Sequence, residues 1–241
     1  VRRGAKGVAR WGLNMRWRVR PPDHSRAFAE RVAGLDLVVL PTVFHPTWHF
    51  TSRFLAEEYP RLLRRGEGPA CSVLEVGTGT GVVALAAARA EADVVAVDSN
   101  PVAVKCASLN AAANGLAQKV SVLRGDMFGP VAGRRFDVIL CNPPYFRGVP
   151  RSQVEAAYKG GERLEWLARL GAGAKEHLAP GGSMFCVFGD AAEVGVLVGL
   201  IEGEGWSGQC MSRRDLPWEQ VSIWRFLPTR PTSAQVDQVL P

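Results

Sequence analysis

The stretch Val73–Ala86, VLEVGTGTGVVALA, decides how this chain is read. VLEV is short and apolar, as a buried strand is, with an acidic Glu75 near its end. Gly77, Gly79 and Gly81 then make a turn at GxGxG spacing, and VVALAAARA from Val82 has the small apolar composition of a buried helix. Glycines in a strand-to-helix turn let the backbone pass close to a ligand, and the first turn of the helix offers free N–H groups to a polar or negative group. The dinucleotide fingerprint GxGxxG needs its third glycine where this chain has Val82, so the turn suits a different ligand.

The same rhythm continues on the C-terminal side. DVVAVD, residues 93–98, reads as a strand ending in Asp98, about twenty residues beyond the glycine turn, where a carboxylate can accept two hydrogen bonds from ribose hydroxyls. A helix from about Asn100 to Asn114, stopped by Gly115, leads to the strand VSVL and then to LRGDMFG. Asp126 there lies at the carboxyl end of a third strand; with Met127 and Phe128 behind it, it suits an adenine ring, the amino group bonded and the faces packed. FDVILC, residues 136–141, is a fourth strand, and Asn142-Pro143-Pro144-Tyr145 follows it directly. Beyond lie a helix near Glu162–His177, a Pro180-Gly181-Gly182 turn, the strand SMFCVF and a helix around Ala191–Glu204. QCMSRRDLPWEQVSIWRF then reads as two strands joined at Leu216-Pro217, an antiparallel hairpin. On the N-terminal side, LDLVVL is a strand and TSRFLAEEYPRLLRR a helix with a basic last turn. The expected fold is therefore α/β: a mostly parallel, seven-stranded sheet with a C-terminal antiparallel hairpin and helices on both faces.

Composition sets the outer bounds. The chain has 241 residues, 47% hydrophobic and 22% charged, enough for one full core and too apolar for a disordered chain. No apolar run approaches the roughly 18 residues of a spanning helix, and the basic first residues precede no signal core, so a soluble, cytoplasmic protein is expected. Five scattered cysteines without a CxxC pair read as reduced thiols, and His24, His45, His49 and His177 show no ligand spacing, so no metal is expected. The formal charge of +6 is concentrated in residues 1–20, which hold seven Lys or Arg and no acid. Trp11 and Trp17 sit among those arginines, an arrangement that can stack on nucleic-acid bases or pack the arm onto protein. The expected division is a basic arm over 1–25, a strand and helix segment covering the cofactor site over 26–70, a catalytic domain over 71–228 and a tail over 229–241.

The tetrapeptide is where a nucleotide-like pocket becomes a reaction centre. Its prolines fix the backbone and keep its carbonyls out of a helix. The Asn142 side-chain oxygen and the Pro143 carbonyl can accept both hydrogens of one planar NH2 group while Tyr145 stacks on the group that bears it. An amide or aniline-like nitrogen is a poor nucleophile because its lone pair is delocalised. Holding both hydrogens localises that pair and aims it along the line of a methyl–sulfonium bond.

These residues together resemble the class I S-adenosylmethionine-dependent methyltransferases, with a Rossmann-like sheet, and within them the HemK-type group whose NPPY motif modifies glutamine amides or base amino groups. The resemblance spans roughly Val43 to Leu227. It implies S-adenosylmethionine as cofactor and S-adenosylhomocysteine as product. The methionine end would be held by Glu75, Gly77, Thr78, Gly79, Thr80 and Gly81, the ribose by Asp98, and the adenine by Asp126 and Met127; Asn142, Pro143, Pro144 and Tyr145 would clamp the acceptor, with Asn142 also beside the cofactor. VFHPTWHFTSRFLAE is similar to a family stretch in which an acidic pair precedes a threonine, mapped here onto Thr51, with Trp48-His49 in place of the acids. YKGGERLEWLARL is similar to the family's glycine pair and following helix. The resemblance implies a macromolecular acceptor, a protein glutamine or an RNA or DNA base, with a small heterocyclic metabolite as the alternative. It leaves the oligomeric state open. Two other classes compete: a catalytically silent RNA- or protein-binding module, opposed by the intact Asn142 and Tyr145, and a nicotinamide-dependent oxidoreductase, opposed by Val82.

Overall fold

The computed structural model describes residues 25–63 and 72–229. The basic arm with Trp11 and Trp17, His24, Cys71, the expected boundary at 70/71 and the C-terminal tail beyond residue 229 lie outside the described residues.

Seven strands form the main sheet: β3 (Ser72–Val76), β4 (Asp93–Asp98), β5 (Val120–Arg124), β6 (Phe136–Cys141), β7 (Leu178–Gly189), β8 (Trp206–Asp215) and β9 (Gln220–Pro228). Their order is β5-β4-β3-β6-β7-β9-β8, so the strand sequence reverses direction between β3 and β6. The pairings from β5 to β7 are parallel, and β9 joins β7 and β8 antiparallel. Almost every residue of the central strands β3 and β6 is buried, which is why both read as unbroken apolar runs.

Helices α1 (Phe50–Leu63) and α2 (Val82–Arg89) cover one face; α2 is buried from Val82 through Ala88. On the other face lie α5 (Glu165–Ala174) and α6 (Val194–Gly203), with the short α4 (Gln153–Ala156) ahead of them in the chain. Helix α3 (Pro101–Ala113) starts where the sequence predicts: Asn100 caps it by accepting a hydrogen bond from the Val102 N–H, and Pro101 supplies a fixed φ at the first position.

Three elements differ from the sequence expectation. LDLVV is not a lone strand: β1 (Phe28–Val32) and β2 (Leu35–Val39) form an antiparallel hairpin through Ala33-Gly34, both at positive φ. FAERV breaks its apolar alternation with a half-buried Glu30 and an exposed Arg31, and its turn lacks the usual Asn or Asp, so it left little local trace. The hairpin is pinned by buried Asn110 of α3, whose Nδ2 donates to the Val38 and Thr80 carbonyls (3.0 and 2.9 Å) and whose Oδ1 accepts from the Val38 N–H at 2.8 Å. The Pro180-Gly181-Gly182 segment is not a turn ahead of a strand but part of β7, where pairing with β6 shifts register. A Cβ at Gly182 would stand 2.7 Å from the Asp137 carbonyl oxygen, so the close approach of β6 requires glycine. Finally, the helix expected over 162–177 is α5 ending in a 3-10 turn at Lys175–His177.

Helix α1 is fastened to the hairpin edge of the sheet by one arginine. Arg214 of β8 donates to Glu57 at 2.6 Å and Glu58 at 3.1 Å, and its guanidinium lies 4.6 Å from the Phe54 ring centroid. Ser212 donates to the second oxygen of Glu58 at 3.1 Å. Burial disfavours the Glu57 carboxylate, but hydrogen bonds from Arg53 and Arg214 outweigh it and hold its pKa below the ordinary value. Arg214→Ala should therefore lower unfolding free energy by about 1–3 kcal/mol at pH 7 in urea titrations. Because a depressed carboxylate contributes stability only above its folded pKa, the deficit should shrink as pH falls through that value.

Candidate active site

The reversal of strand order opens a crevice at the carboxyl edge of the sheet, the place where open α/β sheets bind ligands. Val76 is paired with Val97 on one side and with Cys141 on the other, so the next residues of three adjacent strands, Gly77, Asp98 and Asn142, emerge at one height. All three line a cleft of about 830 Å³, counted out to its open mouth.

The glycine turn forms the floor. The N–H groups of Gly77 and Thr78 both donate to the Val97 carbonyl, at 2.8 and 3.1 Å, which pulls the turn onto β4. Gly77 has φ +77°, and a Cβ there would meet nothing within 4 Å, so its bare backbone faces open space. Gly81 differs. Its φ is +82°, but a Cβ would stand 3.1 Å from the Ala107 Cβ, so this glycine lets the start of α2 pack on α3 and does not line the cleft. Glu75 is also behind the wall. Its carboxyl is buried beneath the turn, where Oε2 accepts from the Thr78 hydroxyl at 2.6 Å and from the Ala84 N–H at 2.9 Å. Burial pushes its pKa up to about 8 despite these two bonds, and the nearby charge of Asp98 adds to the rise.

Asp98 stands on the wall itself. One oxygen accepts from the Gly79 N–H and the other from the Asn100 N–H, both at 2.9 Å; the Ser99 N–H also bonds the carboxylate, which keeps acceptor capacity toward the cleft. Burial raises its pKa against the pull of those backbone groups. Asp126 and Met127 line the far end. The Asp126 carboxylate is solvent-exposed and ion-paired with Arg169 of α5, while Met127 is buried at φ +46°.

A second, smaller cavity of about 260 Å³ adjoins the cleft, and Phe44, Asn142 and Ala157 line both. Its other walls are Pro143 and the rings of His49, Tyr145, Phe146 and Tyr158. Pro144 faces the larger cleft, and its carbonyl oxygen would lie 2.5 Å from a Cβ at Gly160, which explains the first glycine of the 160–161 pair. Asn142 donates from Nδ2 to the Ser52 hydroxyl at 2.8 Å, which leaves Oδ1 for an incoming donor. The Tyr145 hydroxyl is bonded to Thr51 and to the Gly189 backbone; burial, reinforced by the charge of Glu219, raises its pKa, so the phenol is neutral.

Thr51, expected at the cofactor, is thus found under Tyr145, and the hydroxyl that reaches the cleft belongs to Ser52. Three of the expected cofactor residues, Thr51, Glu75 and Gly81, sit behind the wall; Gly77, Thr78, Gly79, Thr80, Asp98, Asp126, Met127 and Asn142 are on it. Ser52, Phe44 and Tyr158 were not foreseen, although the stretches that carry them were. Trp48 and His49 part company: Trp48 stacks on His45 with centroids 3.8 Å apart, whereas His49 enters the small cavity, 3.1 Å from the Tyr158 hydroxyl. Among the described residues no cluster of His, Cys, Asp or Glu could hold a metal ion, and no helix is long and apolar enough to cross a membrane.

The wall fits S-adenosylmethionine. Gly77 leaves room for close backbone approach, Asp98 presents a carboxylate to the cleft, and the buried Met127 offers an apolar face beside Asp126.

Comparison with known proteins agrees with this geometry. The methyltransferase small domain family matches residues 35–197. The release factor glutamine methyltransferase of Geobacter sulfurreducens is 31% identical over 219 residues, which cover 85% of this chain and 72% of that protein. A putative protein N5-glutamine methyltransferase of Methanocaldococcus jannaschii is 29% identical over 205 residues, 81% of this chain and 98% of that one. Five further bacterial glutamine methyltransferases are matched over only 42% to 53% of their length. Among solved structures, the Thermus thermophilus 16S rRNA N2 G1207 methyltransferase, in complex with AdoMet and guanosine, superposes with a TM-score of 0.58 at 25% identity, over 85% of this chain and 50% of that one.

The buried Glu75 makes a pH prediction. Its folded pKa of about 8 lies above the ordinary carboxylic-acid value of 4.5, so protonation favours the fold. That contribution is complete below about pH 4.5 and is lost as pH rises through about 8. Ligand-free protein should lose on the order of a few kcal/mol between pH 5 and 9 in denaturant titrations, and Glu75→Gln should flatten most of that slope.

Proposed function

Since the chain belongs to the methyltransferase small domain family of S-adenosylmethionine-dependent methyltransferases, we propose that it transfers a methyl group to the side-chain amide nitrogen of a protein glutamine. The observation that carries the reading is Asn142 at the seam of the two cavities, its Nδ2 tied to Ser52 and its Oδ1 open. Gly77, Thr78, Gly79, Thr80 and Asp98, with Asp126 and Met127 toward the adenine, would hold the cofactor, which would supply an electrophilic methyl group on a sulfonium. Asn142 Oδ1 accepts one hydrogen of the acceptor NH2 and the Pro143 carbonyl accepts the other. This turns the nitrogen lone pair out of conjugation and toward the larger cleft; as the N–C bond formed, the S–C bond would break, S-adenosylhomocysteine would leave, and one N–H proton would pass to water at the open mouth of the cleft. Tyr145, its hydroxyl anchored beneath, walls one side of the acceptor slot, with Phe44 and Tyr158 among the other walls. These rings also exclude water from a weak nucleophile.

A glutamine amide on its narrow side chain suits a slot walled closely by Pro143 and the rings of Phe44, Tyr145 and Tyr158. The relatives described as glutamine methyltransferases favour the same acceptor. A nucleobase amino group is the second reading, favoured by the aromatic walls, on which a base can stack. We place the reaction in the cytoplasm, with translation proteins as the acceptor class, and we take the segment over 26–70 as the cover of a catalytic domain over 71–228.

Incubation with methyl-labelled S-adenosylmethionine and cell lysate, followed by fractionation, should put label into protein and release it as methylamine on acid hydrolysis. Label confined to RNA, DNA or small molecules would overturn the glutamine assignment. Asn142→Ala should lower kcat by at least about 100-fold and leave the Kd for S-adenosylhomocysteine within about threefold, because the lost contact is to the acceptor.

A further inference from the structure

The first turn of α1 places two hydroxyls side by side, and each reaches a different side chain of the tetrapeptide. Ser52 Oγ takes the Asn142 Nδ2 hydrogen bond at 2.8 Å, and the Thr51 hydroxyl bonds the phenol of Tyr145. Thr51 is buried, and Ser52 is half-buried at the cleft wall. We infer that Thr51 and Ser52 act together as a positioning pair that fixes the orientation of Asn142 and Tyr145 from outside the catalytic sheet. The inference rests on the methyl-transfer reading above.

The need for such a pair follows from side-chain chemistry. The terminal torsion of asparagine is broad and nearly two-fold, and its oxygen and nitrogen ends have almost the same shape. A flipped Asn142 would turn an NH2 group toward the acceptor NH2, donor against donor, in the slot where an acceptor atom is required. The amide follows β6 directly and precedes two prolines, so the backbone fixes where it starts but not which end faces outward. The bond to Ser52 holds the amide plane with Nδ2 inward. Tyr145 poses the same problem in milder form, because a ring anchored only by the Gly189 backbone could tilt; Thr51 gives its hydroxyl a second anchor at the buried end.

The pair comes from α1, which packs on α2 and is fastened to β8 through Glu57, Glu58 and Arg214. Helix α1 thus lends orientation to side chains that lie some ninety residues later in the chain.

The test combines kinetics of the full-length protein with nuclear magnetic resonance of the Asn142 side-chain amide in the S-adenosylhomocysteine complex; the resonances are assigned by their absence in Asn142→Asp. Ser52→Ala should lower kcat by about tenfold or more, with acceptor KM and S-adenosylhomocysteine Kd within about twofold, and Ser52→Thr should recover most of the loss. In Ser52→Ala the Asn142 amide resonances should shift and exchange faster with solvent. Thr51→Val should lower kcat severalfold by the same criterion. Wild-type turnover in Ser52→Ala, or a loss of S-adenosylhomocysteine affinity equal to the loss in kcat/KM, would overturn the inference, the second by making Ser52 a direct cofactor contact. If wild-type protein methylates no acceptor, the methyl-transfer reading falls on its own, and the resonance experiment still decides: an altered amide in Ser52→Ala supports the positioning bond, and an unaltered one removes it.

Discussion

The site depends on one constraint, the register of three parallel strands. Because Val76 faces Val97 in β4 and Cys141 in β6, the residues that follow each strand reach the sheet edge together. A slip of one residue in either pairing would turn the neighbouring strand's side chains to the opposite face and carry Asp98 or Asn142 out of the cleft. The register is secured by burial on both faces, since an offset would also bury Glu75 or Asp137 at the wrong place. Glu75 then extends the constraint into the loop. Its buried carboxyl takes a bond from the glycine turn and one from the first turn of α2, so strand, turn and helix move as one body.

A second layer of order comes from the N-terminal segment. The β1–β2 hairpin is pinned through Asn110, which also bonds the carbonyl of Thr80 in the glycine turn. Helix α1 brings Thr51 and Ser52 to the tetrapeptide and is fixed at its far side by Arg214. The sheet edge therefore supplies Gly77, Asp98 and Asn142, and the N-terminal elements add walls at Phe44, His49 and Ser52 and orient the tetrapeptide.

This division explains what was legible in the sequence. The strand–turn–helix of Val73–Ala86, the position of Asp98 and the tetrapeptide after FDVILC are local patterns; apolar runs, glycine spacing and proline chemistry carry them within a dozen residues. The parallel strands follow from repetition of that pattern, and the terminal hairpin shows as two strand-like runs joined at Leu216-Pro217 where the alternation with helices stops. What stayed hidden depends on contacts across long stretches of chain. Nothing in TSRFLAEE says that Ser52 rather than Thr51 meets the cleft, because the choice is made by where the helix face falls against β6 and β7. Gly81 has the spacing of a ligand glycine and the surroundings of a packing glycine, and only Ala107 on the neighbouring helix tells the two apart. The Pro180-Gly181-Gly182 segment has turn chemistry, yet the approach of the Asp137 carbonyl makes it an irregularity within a strand.

We propose that the edge formed by Gly77, Asp98 and Asn142 holds S-adenosylmethionine. Titration calorimetry of the purified chain with S-adenosylhomocysteine tests it most directly. Saturable binding with one ligand per chain is expected, weakened by about tenfold or more in Asp98→Ala, where the carboxylate acceptors are lost. Absence of any binding heat at several temperatures, or equal affinity in Asp98→Ala, would contradict it.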